Sequence, residues 1–235
     1  LIGGPTVGGA INVVASTGVT IQGNGLNCGA TIPHGVEMRL SQYLTVTGNT
    51  IRNPATTGIL AAASHPTWPG TALMKNFTIT GNVVDGWIDD QNPPTAIGIR
   101  ASASTDDGAP ERGVIDGNNI QRCKDGIVLV GFTPSVPIVA MTVSNNQIAE
   151  CAHDQDTVDP FDFLDAGCFG VGCVYGKNIH ISGNTMERIG VVTDSNGTPY
   201  IWPQNVYPKP IFALNSSSVS VVDNQIDWTV PFGTG

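Results

Sequence analysis

Leu44-Thr-Val-Thr-Gly-Asn49-Thr-Ile51 is an apolar–polar alternation, a Gly-Asn step and one more aliphatic residue. The chain repeats the phrase. Its other copies are Val19-Thr-Ile-Gln-Gly-Asn24-Gly-Leu26, Phe77-Thr-Ile-Thr-Gly-Asn82-Val-Val84, Val114-Ile-Asp-Gly-Asn118-Asn-Ile120, Met141-Thr-Val-Ser-Asn-Asn146-Gln-Ile148, Ile179-His-Ile-Ser-Gly-Asn184-Thr-Met186 and Val219-Ser-Val-Val-Asp-Asn224-Gln-Ile226. The asparagines fall 25, 33, 36, 28, 38 and 40 residues apart. Self-similarity at this period is the mark of a solenoid.

Each copy holds a period-two strand, with Leu44 and Val46 facing in and Thr45 and Thr47 facing out. The Gly-Asn step supplies the left-handed backbone that Gly and Asn tolerate best, and so a sharp turn. The aliphatic residue two places on starts a second strand. A third strand shows as a Gly-aliphatic phrase: Gly35-Val-Glu-Met38, Gly58-Ile-Leu-Ala61, Gly98-Ile-Arg-Ala101, Gly126-Ile-Val-Leu129 and Gly170-Val-Gly-Cys173, with Pro210-Ile-Phe-Ala213 as a degenerate sixth. No segment sustains apolar residues at three-and-four spacing, so a helical solenoid is excluded. Three strands per period predict an all-β, parallel β-helix of about seven coils, forming one domain over residues 1–235. Val46, Ile79, Ile115, Val143, Ile181 and Val221 are expected to stack inside it. Asn49, Asn82, Asn118, Asn146 and Asn184 are expected to line one turn.

These residues resemble the right-handed parallel β-helix of the pectate-lyase-like superfamily, which includes pectate lyases, polygalacturonases, alginate epimerases and phage tailspikes. The asparagine ladder is the most specific element, and the resemblance spans roughly residues 19–228. It implies the fold strongly and the chemistry weakly, because one scaffold hosts many activities.

Only 12% of the residues are charged, and the net charge is −9. No basic stripe is present to displace counterions, which argues against a nucleic-acid partner. No apolar run approaches the length of a membrane span. The neutral, turn-rich composition suits an extracellular or virion-borne protein. The start carries no initiator Met, no signal peptide and no capping helix, and the chain reads as a mature or excised part or as one protomer of an assembly. Five cysteines cannot all pair within the chain. Cys123 and Cys151 each lie five residues after a ladder asparagine, so they stack as buried thiols or form a strained disulfide. Arg122, Glu150 and Arg188 follow their asparagines by four residues, an alternating-sign stack read as surface stabilisation.

In the superfamily the ligand groove runs along the sheet of Gly-aliphatic strands, walled by the adjoining loops. That mapping selects Asp89 and Asp90 on the loop at 85–94, the outward-facing Arg100, and Asp106 and Asp107 beyond it. His65, Trp68 and Glu111 are the substrate-binding candidates. Paired carboxylates near an aromatic platform serve glycoside hydrolysis, one as acid and one as base or nucleophile. A lyase would use Arg100 as the base. A second patch is the acidic insertion at 150–165, which holds Asp154, Asp156, Asp159, Asp162 and Asp165 beside His153. It reads as a solvated loop, a saccharide site or a calcium site, with Asp154, Asp156 and Asp159 as candidate ligands. No cofactor is required.

Of the polygalacturonase motifs only an Asp-Asp pair is present, and Asp159-Pro160-Phe161 matches two residues of the epimerase Asp-Pro-His element. The outward positions Val128, Val130, Gly172 and Val174 are apolar or small, which suits packing against another subunit. With the aromatic insertion at 200–211 they predict a homo-oligomer, a trimer by resemblance to tailspikes. The expected partner is a polysaccharide, bound or cleaved by a tailspike-like hydrolase or lyase. The alternative is a non-catalytic structural or adhesive β-helix.

Overall fold

The computed structural model describes residues 8–29, 31–64, 74–86, 94–103, 106, 108–152, 168–193, 199–201 and 209–227. Among these there is no helix. The chain winds through three parallel sheets, adding one strand to each per coil. The first sheet stacks Gly9–Val14, His34–Arg39, Thr57–Ala62, Ile97–Ser102, Asp125–Val130, Phe169–Val174 and Lys209–Leu214. The second runs from Thr20–Gln22 through Thr45–Thr47, Lys75–Thr80, Glu111–Asp116, Thr142–Ser144 and Gly176–Ser182 to Ser217–Val222. The third runs from Gly25–Asn27 to Gln225–Asp227. The short strands Val191–Thr193 and Pro199–Ile201 form a separate antiparallel pair.

The repeat phrase builds the second and third sheets and the turn between them. Val46 pairs with Ile79, Ile79 with Ile115, Ile115 with Val143, Val143 with Ile181 and Ile181 with Val221. This column is fully buried except at the last coil, where Val221 is 50% exposed. Parallel in-register stacking places each side chain about 4.8 Å above its predecessor, which is van der Waals packing distance for aliphatic groups.

The asparagines form one continuous hydrogen-bonded column. The backbone N–H and the side-chain amide of Asn49 both donate to Asn82 Oδ1, at 3.0 and 2.9 Å. The same amide also donates to the carbonyl of Ile21 in the coil before, at 3.0 Å. The pattern recurs at Asn82, Asn118, Asn146 and Asn184. At this short reach Asn carries an acceptor oxygen and a two-proton amide, so one side chain binds both neighbours, whereas a Ser or Thr hydroxyl has a single proton to give. The left-handed residue is the one before each ladder asparagine: Gly23, Gly48, Gly81, Gly117, Asn145, Gly183 and Asp223 have φ between 53° and 69°. The two replacements for glycine are Asn and Asp, the residues best tolerated there.

The Gly-aliphatic phrase has a steric cause. A Cβ on Gly58 would lie 2.4 Å from Val84 of the third sheet and 2.6 Å from the carbonyl of Gly98. Gly35, Gly98, Gly126 and Gly170 meet equivalent obstacles. At this corner the first sheet passes so close to the third that no side chain fits. Pro210 takes the same place in the last described strand of the sheet, where edge position tolerates the missing N–H.

All five cysteines are buried free thiols. Burial pushes the Cys168 thiol up to about 12 and raises those of Cys123 and Cys151, which keeps them protonated and unreactive. The charge stack resolves into pairs. Arg122 binds Asp85 of the coil before it, and Arg188 binds Glu150 at 2.6 Å.

One expectation is corrected. Val128, Val130 and Val174 do face out of the coil, but they are buried, at 0%, 4% and 2% exposure. With Ile97 and Phe169 they form a second apolar cluster on the outer side of the first sheet, flanked by Tyr175, Phe212 and Leu214. They therefore present no free apolar surface to another subunit.

Candidate functional site

Beyond the corner glycine, the strands of the first sheet alternate inward and outward residues, and the parallel register turns each outward position into a row. One row runs Asn12, Glu37, Leu60, Arg100, Val128, Gly172, Phe212, and the next runs Val14, Arg39, Ala62, Ser102, Val130, Val174, Leu214. A third row, at the strand heads, begins His34, Thr57, Ile97, Asp125. The polar members of the two outward rows fall in the coils of Gly9–Val14, His34–Arg39 and Ile97–Ser102. The rows beyond them are apolar or small. There Phe169 and Phe212 stack at 5.1 Å, with the Lys209 ammonium 4.7 Å above the Phe212 ring.

The polar end opens as a cleft of about 170 Å³. His34, Thr57, Arg39, Arg100 and Ser102 line it, with Leu60 and Ala62 between them. Glu37 is 1% exposed, and its carboxylate accepts from Arg39 Nε. Arg39 Nη1 donates to the carbonyl of Ser64 at 2.8 Å. That pair keeps a buried carboxylate neutralised where an unpaired one would be expensive. His34 is 8% exposed. Burial lowers its pKa to about 4, with Arg39 and Arg100 acting in the same direction and Glu37 opposing them. His34 Nδ1 and Thr57 Oγ1 are buried with no hydrogen-bond partner among the described residues.

Of the site residues expected from sequence, Arg100 lines the cleft. Asp106 is exposed, just beyond the strand Ile97–Ser102. Glu111 heads a strand of the second sheet, where it pairs with Lys75 at 3.0 Å. Asp89, Asp90, Asp107, His65 and Trp68 lie outside the described residues, as do Asp154, Asp156 and Asp159. Among the described residues no group of three or more His, Cys, Asp or Glu is placed to hold a metal ion. His34, Glu37, Arg39, Thr57 and Ser102 were missed. The signal for two of them was present: in His34-Gly-Val-Glu-Met-Arg39 the same alternation that points Arg100 outward points Glu37 and Arg39 outward.

His34 carries a pH test. An unfolded histidine titrates near 6.5, and the folded one near 4. Between those values the unfolded chain binds more protons, so this group's contribution is full above pH 6.5 and is lost as pH falls towards 4. The expected loss by pH 4.5 is about 2 kcal/mol. Urea unfolding of wild type and His34→Gln at pH 7 and pH 4.5 measures it. The wild type should lose more than the variant, and equal losses would refute the assignment.

The fold and the cleft together define a parallel β-helix with a built polar site on an outer sheet face. The family model described as "Right handed beta helix region" matches residues 9–227, and the chain belongs to that family. No curated protein sequence matches the chain. Among solved structures, one titled "Catalytic domain of GH87 alpha-1,3-glucanase in complex with nigerose" is similar at 12% identity and a TM-score of 0.31. The match covers 95% of this chain and 50% of that one, so the chain spans half the length of its structural neighbour. No helix among the described residues is long and apolar enough to cross a membrane.

Proposed function

We propose that this chain is a carbohydrate-directed β-helix, extracellular or virion-borne, that binds and cleaves a polysaccharide on the outer face of its first sheet. The observation that carries the reading is the cleft. Polar side chains gather there on a sheet face otherwise closed by apolar ones, and two of their buried polar atoms face no partner among the described residues. A buried polar group without a partner is expensive, and a ligand rich in hydroxyls supplies one. Asp89, Asp90, Asp106 and Asp107 flank the strand that carries Arg100 in sequence and are the proposed acid and base. Arg100 positions the sugar, or takes the proton in an elimination. Calcium at Asp154, Asp156 and Asp159, and a trimer of the tailspike kind, belong to the same reading.

A polysaccharide panel scored for reducing ends and for unsaturated-uronate absorbance tests it. Reducing ends alone mean a hydrolase, and both signals together mean a lyase. Retention without either signal means a binding module. No retention and no product mean the rival, a structural or adhesive β-helix. The short extent of the polar face, bounded by Val128 and Val130, is the observation that favours this rival.

A further inference from the structure

His34 and Thr57 are register partners at the heads of adjacent strands, so their backbones lie about 4.8 Å apart. Thr57 is 1% exposed and His34 8%, yet neither His34 Nδ1 nor Thr57 Oγ1 has a hydrogen-bond partner among the described residues. Native proteins rarely leave such atoms unpaired, and each instance calls for an explanation. Both residues line the cleft, which supplies one. Two of the charged groups here offset each other. Arg39 is committed to Glu37 and to the carbonyl of Ser64, so their charges cancel. The third charged group of the lining, Arg100, stands in the outward row beside Leu60 and not at the strand heads, where a ligand meets a neutral imidazole nitrogen beside a hydroxyl.

A sugar hydroxyl matches that pair, since it donates and accepts at once. With the ring proton on Nε2, Nδ1 is an acceptor, and a carboxylate or sulfate has no proton to offer it. The volume, about 170 Å³, lies below the roughly 300–1,000 Å³ of a drug-sized pocket. It suits one pyranose ring. Leu60 and Ala62, which alternate with the polar residues of the lining, offer the ring's C–H face an apolar surface.

We propose that the cleft is a single-ring subsite for a neutral sugar, in which one ring hydroxyl donates to His34 Nδ1 and accepts from Thr57 Oγ1. This assignment rests on the carbohydrate reading above and adds the class of sugar and the two residues that select it.

The probes are methyl glycosides of neutral hexoses and their deoxy analogues, with methyl glucuronide and inorganic sulfate as the anionic arm. The readouts are the ring-nitrogen resonances of His34, assigned by their loss in His34→Gln, and retention of the panel polysaccharides. A neutral glycoside should move the Nδ1 resonance saturably, and one of its deoxy analogues should fail to. Thr57→Val should weaken that glycoside by roughly tenfold without lowering stability, because it removes a hydroxyl that has no partner. Thr57→Ser should restore binding. Movement of His34 by sulfate or glucuronide but not by neutral glycosides overturns the proposal. A polysaccharide retained equally by wild type and Thr57→Val, with His34 unmoved, also overturns it and leaves the broader function standing. If wild type retains no polysaccharide, both readings fall together.

Discussion

Asn118→Ala is expected to destabilise the fold by on the order of 4 kcal/mol or more, a large share of the roughly 5–15 kcal/mol that holds a typical domain. Asn118 is 1% exposed. Its Oδ1 accepts both the backbone N–H and the side-chain amide of Asn82, at 3.0 and 2.9 Å. Its own amide donates to the carbonyl of Ile79 at 2.9 Å and to Asn146 Oδ1 at 3.0 Å. Alanine strips the acceptor from a buried N–H in one coil and a donor from a carbonyl in the same coil. It also removes one of the two donors to Asn146 Oδ1. Each buried group left unsatisfied costs about 1–3 kcal/mol, because water cannot replace the lost partner.

The contrast is Asn24→Ala at the head of the same ladder. Asn24 is only part-buried, and its amide donates to the carbonyl of Gln22 and to Asn49 Oδ1. Water reaches it, and the loss should stay within about 1 kcal/mol. Asn118→Asp separates polarity from shape. It keeps the acceptor for Asn82 but sets a carboxylate against the Ile79 carbonyl and Asn146 Oδ1, and it should rescue little. Urea unfolding midpoints at unchanged slope make the comparison. Similar losses at Asn118 and Asn24 would show that the ladder is not what holds the turn.

The ladder was legible in the sequence because its chemistry admits one residue type. A column that must donate to one coil and accept from another repeats as Asn at every turn, and repetition is what a sequence shows plainly. The inward column from Val46 to Val221 was legible for the same reason, since stacked aliphatics recur with period two. In the cleft the alternation marks Arg100, and equally Glu37 and Arg39, but neither His34 nor Thr57. His34 and Thr57 stand just before their corner glycines, where no alternation had been assigned, and the residues that share their row are Ile97 and Asp125. A functional residue departs from its column, and a reading built on columns passes over it. The valines failed differently. Period two says that Val128 and Val130 leave the coil interior, and it is silent on whether a second apolar layer awaits them. Phe169 and Ile97 belong to that layer, and each is a neighbour through tertiary packing rather than through spacing in sequence.

Glycine has two separate uses in this fold, and substitutions should tell them apart. Gly126→Ala is expected to cost at least about 3 kcal/mol, or to prevent folding. Its backbone does not hold the positive φ of the turn glycines, so the obstacle is space alone. A Cβ there would sit 2.5 Å from the carbonyl oxygen of Gly170 and 2.5 Å from Ile148 Cγ2. The isoleucine is itself a fully packed core residue of the third sheet. The carbonyl belongs to the next strand of the first sheet, fixed by its own ladder, so relief requires the two coils to separate. Gly117 presents the opposite case. It has φ +62° and nothing within 4 Å of the place a methyl group would take, so its requirement is conformational. Asn145 fills the equivalent place one coil on, at φ 54°. Gly117→Asn should therefore cost less than about 1 kcal/mol, and Gly117→Ala about 1–2 kcal/mol from left-handed strain. Denaturation midpoints of the three variants settle the matter. If Gly126→Ala proves as mild as Gly117→Asn, the corner between the first and third sheets is looser than its 2.5 Å contacts imply. The Gly-aliphatic phrase would then need a cause other than close approach. If the order holds, the same constraint governs Gly58 and Gly98, whose strands carry Thr57 and Arg100, and the corner that excludes a side chain is also what fixes the walls of the cleft.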